Sequence, residues 1–302
     1  MEANKIILND EVIIDLSEDT VTEEDVLEGK TFHKADGTQA VGTGKGGSGG
    51  GGGDEVPADK YFEGGYAEVV LPNVTKIKNY AFYQDTTIQN IEMPRATSIG
   101  NYAFNNCRNL VLTSLPSGVT SIGNYAFNSC TNLVLTSLPS GVTSIGDNAF
   151  NNCTNIALTE LPSGVTSIGS QAFNNCTNLA LTKLPNGITK IAHSAFYNCT
   201  NIALTELPNG ITKIENGGFG GCTNLALTEL PSGVTSIGSS AFYDCRKLTS
   251  LTFKGTPTAI DSDAFSGCTN LTTINVPWAE GAVANAPWRA TNATINYNFK
   301  EA

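Results

Sequence analysis

Histidine is nearly missing from this chain of 302 residues: His33 and His193 stand 160 positions apart, too few and too distant for a local metal-ligand cluster or a catalytic triad. Basic residues are also scarce. Seventeen Lys and Arg against 28 Asp and Glu leave a formal charge of −11, so the basic face that a nucleic-acid partner requires is lacking. No stretch reaches the roughly 18 consecutive apolar residues of a membrane span. The segment Met1 to Leu16 breaks its apolar run at Asn9, Asp10 and Glu11 and does not read as a signal peptide. The expectation is a soluble protein made in a cytosol, with no nucleic-acid or membrane partner, no cofactor, no metal and no enzymatic activity.

Charge is unevenly shared. Residues 1–60 carry 14 acidic and 5 basic side chains, net −9, whereas the other 242 carry net −2. Between two regions of different character lies Gly42 to Gly53, nine glycines in twelve residues, which has no side chains to bury and reads as a linker. Its Gly42-x-Gly44-x-x-Gly47 spacing fits a dinucleotide loop only formally, because no strand-helix-strand unit surrounds it. Ahead of the linker, apolar alternation predicts two strands around Asn9-Asp10, a short helix from Thr22 to Gly29, and a hairpin of Thr31 to His33 with Thr38 to Val41 around Asp36-Gly37. A core in about 40 residues is marginal, so this module is expected to dock or to oligomerise.

Beyond the linker the chain repeats. Phenylalanine recurs at 82, 104, 127, 150, 173, 196, 219, 242 and 265, with an isoleucine five residues before each. Such a period marks a solenoid in which coils too short to bury their own apolar residues stack on one another. Numbering the coils 1 to 9 by these phenylalanines, Val142 to Ile145 of coil 4 is predicted as a strand ended by Gly146. Asp147 to Cys153 is predicted as a helical or 3₁₀ corner capped by Asp147, and Pro139-Ser140-Gly141 as a turn. The coil then has two extended sides and one helical corner. Glu160, Lys183 and Glu206 share a column and are expected to pair across coils.

The eight cysteines, from Cys107 to Cys268, are all 23 residues apart. Stacking separates their Cβ atoms by one coil rise, at least about 4.8 Å, which exceeds the roughly 3.5–4.5 Å of a disulfide. A ladder of buried free thiols is expected, and a straight ladder cannot converge on a tetrahedral metal.

Cys130-Thr131-Asn132-Leu133 through Leu138-Pro139-Ser140-Gly141-Val142-Thr143-Ser144-Ile145-Gly146 and Ala149-Phe150-Asn151-Asn152-Cys153 resembles the BspA-like leucine-rich repeat, over about 200 residues. The side entering the proline departs from that pattern, with Leu133-x-Leu135-x-x-Leu138-Pro139, which bears on strand register there and not on architecture. The resemblance implies a right-handed solenoid of short parallel strands with short helical turns, used as an adhesion or binding platform. Asp15 to Thr22 and Leu27 to Gly37 resemble a module at the front of tail and other virion proteins of phages of Gram-positive bacteria. Val276-Pro277-Trp278 to Ala286-Pro287-Trp288 resembles segments that close such arrays.

These resemblances imply an organisation of four parts: a mounting module (1–41), the linker (42–57), the solenoid (58–276) and a C-terminal cap (277–302). They imply a virion protein assembled in the host cytoplasm that binds a polysaccharide or protein of the host surface. It would contact other virion subunits through residues 1–41 and form a homo-oligomer, a trimer by preference. A virion decoration or assembly protein and a bacterial surface adhesin remain as alternatives. The candidate binding residues are Tyr80, Tyr102 and Tyr125, which sit two before the phenylalanine and are expected to point outward as a stacked ladder suited to sugar rings, or to pack on the surface beside the linker end or a neighbouring chain. Trp278, Trp288 and Arg289 are candidates at the far tip, the tryptophans serving otherwise as cap core.

Overall fold

The computed structural model describes residues 67–300 in full, together with the backbone of five short strands before them. Lys5–Leu8 pairs antiparallel with Glu11–Asp15, and Thr31–His33 with Gln39–Val41, matching the two hairpins expected from alternation and turn residues. The helix expected at 22–29 and the glycine run at 42–53 lie outside the described residues. Glu55–Val56 pairs in parallel with Lys76–Ile77 of coil 1. The linker expected to run to residue 57 therefore overlaps the first rung of the solenoid.

From there the chain is a stack of coils. Ile77, Ile99, Ile122, Ile145 and Ile168 each end a two-residue strand in a six-stranded parallel sheet that begins at Glu55–Val56. A second sheet stacks Lys190–Ile191, Lys213–Ile214, Ser236–Ile237 and Ala259–Ile260. Between Ile168 and Ile191 the strand pairing lapses. The strands are shorter than alternation predicts. In coil 4 only Ser144–Ile145 is strand, Val142 and Ile145 are buried, and Thr143 and Ser144 both face out, because Val142 already belongs to the turn that Pro139 starts.

The corner is not helical. In coil 3 Tyr125 and Ser129 adopt φ near +60°, which turns the backbone N–H groups of Tyr125, Phe127 and Ser129 onto the carbonyls of Asp147, Ala149 and Asn151 in the next coil, at 2.7–2.8 Å. Alternate N–H groups thus knit neighbouring coils, while those of Ala126, Asn128 and Cys130 between them close single turns onto Gly123, Tyr125 and Phe127. Asp147 likewise caps no helix; its Oδ1 accepts the N–H of Ser170 in coil 5.

The opposite side also differs. Leu133 and Leu135 are spaced by two, but Leu138 by three, so the segment cannot keep alternating, and the central coils hold it with single bonds such as Ala157 N–H to Leu135 O at 2.9 Å. Where alternation is regular, as in Ser250–Phe253 and Thr273–Asn275, a parallel sheet forms, and the closing segment adds Thr294–Asn296 to it.

The core is one continuous column set. The nine phenylalanines stack with centroids 5.1–5.9 Å apart and are at most 1% exposed. All eight cysteines are free and buried. The Sγ of Cys130 donates to the carbonyl of Phe104 in the coil before, at 3.0 Å, and the other thiols repeat this. Burial pushes the thiols of Cys130, Cys153, Cys176, Cys199, Cys222 and Cys245 up, and that of Cys268 up to about 12. Among the expected charge pairs, Lys183 meets Glu160 at 3.5 Å with both side chains 68% exposed, a geometry that contributes little in water.

Candidate functional site

Coils 2 to 4 present the quartet Ser-Ile-Gly-Asn or Ser-Ile-Gly-Asp at the end of the short strand, flanked by Lys76-Ile77-Lys78-Asn79 in coil 1 and Ser167-Ile168-Gly169-Ser170 in coil 5. The quartets line a groove of about 490 Å³ that runs along the stack from Asn79 to Gly169. Its construction follows from one repeated hydrogen bond. The Oδ1 of Asn79 accepts the N–H of Asn101, Asn101 that of Asn124, Asn124 that of Asp147, and Asp147 that of Ser170, at 2.7–2.8 Å. A backbone N–H only donates, so each amide oxygen faces the next coil and each Nδ2 group is left for the groove.

The glycines make room for these bridges. A Cβ at Gly100, Gly123, Gly146 or Gly169 would come within 2.5–2.7 Å of the backbone nitrogen of the bridging residue in the coil before. The rule holds along the whole column. Asn216 bridges to Ser239 at 3.0 Å and is followed one coil on by Gly238, whereas Ser170, His193 and Ser239, which send no such bridge, are followed by Ala192, Glu215 and Asp261. At His193 the clip runs the other way, from its N–H to Glu215 Oε2 at 2.9 Å, and Asp263 accepts from Ser239 and Ser240. Desolvation pushes the Asp263 carboxyl up, but those hydrogen bonds outweigh it and hold it below the usual range. Among coils 1 to 9, only the junction of Ser170 with His193 carries no side-chain clip at this corner, and there the strand pairing lapses. Beyond it a second groove, of about 590 Å³, is charged and lined by His193, Glu215 and Asp261.

Tyr80, Tyr102 and Tyr125 do form an outward ladder one residue beyond the bridging asparagines. Their rings lie 4.9 and 4.6 Å apart and within 4° of parallel, with Tyr83 edge-on to Tyr80 and Tyr102. Burial in the stack, then the phenols of Tyr125, Tyr80 and Tyr83, raise the Tyr102 phenol. The rings cover one another's faces. The ladder therefore offers edges and hydroxyls, and a sugar ring cannot slide between its members. Farther along, Tyr197 fills the space over Gly220, where a Cβ would lie 2.8 Å from its ring.

The tryptophans are inside. Trp288 is 0% exposed and its Nε1 donates to the carbonyl of Ala284 at 2.7 Å, while Trp278 is 6% exposed and edge-on to Phe253. They plug the end of the core and present nothing to a ligand; of that trio only Arg289 is exposed. Sequence reasoning missed the groove, although its signal was present as Gly in one coil coupled to Asn or Asp in the coil before.

No group of three or more metal-ligating side chains occurs among the described residues, and no helix there is long and apolar enough to cross a membrane. The family model for the BspA type leucine rich repeat region matches residues 75–203 and 189–281 in six copies. A leucine-rich repeat protein from Bacteroides ovatus has a similar fold, with 23% identity and a TM-score of 0.56, over 76% of this chain and 68% of that one. A leucine rich cell surface protein from Faecalibacterium prausnitzii aligns with 23% identity and a TM-score of 0.40, over 84% of this chain and 94% of that one. No curated protein matches the chain.

Proposed function

Because the chain belongs to the BspA-type leucine-rich-repeat family, whose solenoid is typically a non-enzymatic binding scaffold, we propose that it is a phage virion protein of tail or fibre type that holds the particle to the host cell surface. The observation that carries the binding half is the solenoid itself: its apolar columns are sealed inside, and its outer columns are a repeated, groove-bearing polar surface with the tyrosine ladder beside it. The virion half is supported by residues 1–41, with 11 acidic and 3 basic side chains for a net −8, and the glycine-rich neck that sets them apart from a nearly neutral solenoid, together with their likeness to virion mounting modules. Residues 1–41 would engage other virion subunits and form the oligomer, a trimer by preference. A host polysaccharide or protein would be the partner of the solenoid.

A bacterial surface adhesin uses the same solenoid equally well, and the similar structures are those of bacterial proteins. Immunogold labelling against the solenoid separates the two: label on purified particles supports the virion reading, and label on uninfected cells overturns it in favour of the adhesin.

A further inference from the structure

We propose that the groove from Asn79 to Gly169 binds a neutral, linear, extended polysaccharide lying parallel to the solenoid axis. The proposal rests on the reading of the solenoid as a binding body and specifies the chemistry of its partner.

The groove carries a serine hydroxyl in each of coils 2 to 5 and an asparagine amide in each of coils 1 to 3, with Asp147 in the amide position of coil 4. One side carries the hydroxyls from Ser98 to Ser167, and the other the Nδ2 groups of Asn79, Asn101 and Asn124, whose oxygens are already committed to the next coil. These hydroxyls and Nδ2 groups have no protein partner among the described residues. Between the two rows runs glycine backbone without side chains. The result is a row of donors and a row of donor-acceptors, each spaced by one strand separation, about 4.8 Å. A ligand that satisfies them must present hydroxyls or amides on both flanks at that interval.

Extended pyranose chains advance by close to this interval per sugar and carry hydroxyls on both edges. An extended peptide advances only about 3.3 Å per residue and falls out of register within two coils. An anionic polymer, such as a polyol phosphate, would meet Asp147 within the groove, with no Lys or Arg lining it to offset the charge. The second groove lacks this neutral repetition and is interrupted by charge at Glu215 and Asp261.

The test is calorimetric titration of the full chain with β-1,4-linked N-acetylglucosamine oligomers from disaccharide to hexasaccharide, with polyglycerol phosphate and a neutral extended peptide in parallel. Affinity should rise with each sugar and level off once the oligomer spans the groove, and the other two polymers should not bind. The double variant N101D/N124D keeps the bridging oxygen, as Asp147 does naturally, but removes the Nδ2 donors. It should still unfold cooperatively, at a midpoint lowered by the repulsion of three stacked carboxylates that added salt relieves, and lose oligomer affinity by about tenfold or more. Affinity independent of length, an unaffected double variant, or preference for peptide or polyol phosphate overturns the proposal. If no glycan binds while multivalent solenoid still decorates host cells, this inference alone fails; if the cells are not bound either, the adhesive function fails with it.

Discussion

A methyl group added at Gly123 would fall 2.7 Å from the backbone nitrogen of Asn101, with the bridging side-chain oxygen equally close. Gly123→Ala should therefore destabilise the protein by about 1–3 kcal/mol, in the manner of overpacking. The natural pair Ser170 and Ala192 shows how the strain is relieved, so Asn101→Ser should compensate part of it. A double-mutant cycle in denaturant should give a coupling energy of about 0.5–3 kcal/mol. Strict additivity of the two substitutions would mean that the glycine is not there for the bridge. The core column allows a sharper contrast: Phe173→Ala, in the middle of the stack and fully buried, should cost about 3–5 kcal/mol. Ser170→Ala, which removes only a hydroxyl and leaves the N–H bond to Asp147 intact, should stay near neutral, and equal midpoints for the two variants would invert the assignment of inside and outside.

At the scale of the element, the thiol ladder couples folding to alkali. Unfolded thiols ionise near 9, whereas the folded Cys268 does so near 12 and its neighbours are raised too. A group raised in the folded state contributes its stability in full below the unfolded value, so resistance to denaturant should hold up to about pH 9 and fall as pH climbs toward 12, by about 1.4 kcal/mol per pH unit for each thiol. A midpoint that stays flat between pH 9 and 11 would contradict the ladder, as would recovery of four or fewer thiols when freshly purified protein is titrated in denaturant. The sheet makes its own prediction. Gly169 and Glu215 donate their N–H groups to Ile145 and Ile191, at 2.9 Å each, whereas the pairing lapses between Ile168 and Ile191. The amide of Ala192 should exchange with solvent faster than either, and equal protection would show that the sheet runs through. The buried columns and the thiols were legible beforehand because burial repeats with the 23-residue period. The corner was not, since Asp147 to Cys153 has the composition of a capped helical turn and only the φ of residues such as Asn148 and Asn152 turns its N–H groups toward the next coil. Stacking of the tyrosines was legible from their shared column, but not that the rings come within 4.6–4.9 Å and close their faces to a sugar, because that distance is a property of two coils together.

For the whole molecule, the pairing of Glu55–Val56 with coil 1 moves the proper start of an isolated solenoid from residue 58 to about residue 54. On the virion function proposed above, a fragment of 54–302 should fold alone, bind host cells weakly per copy, and bind firmly when displayed on beads, where linked copies raise the effective concentration. Residues 1–53 should be needed only for incorporation into the particle; binding by that piece and not by the solenoid would exchange their roles. The bridge has a last consequence. Each of coils 2 to 4 supplies both the glycine that makes room for the bridge from the coil before and the Asn or Asp whose N–H receives that bridge and whose side chain sends the next one, and Leu112 to Gly123 recurs letter for letter at Leu135 to Gly146. In-frame exchange between such repeats inserts or deletes a coil whose joints match on both sides wherever the crossover falls. Descendant genes can thereby lengthen or shorten the reach of the protein in steps of one coil without a compensating mutation elsewhere.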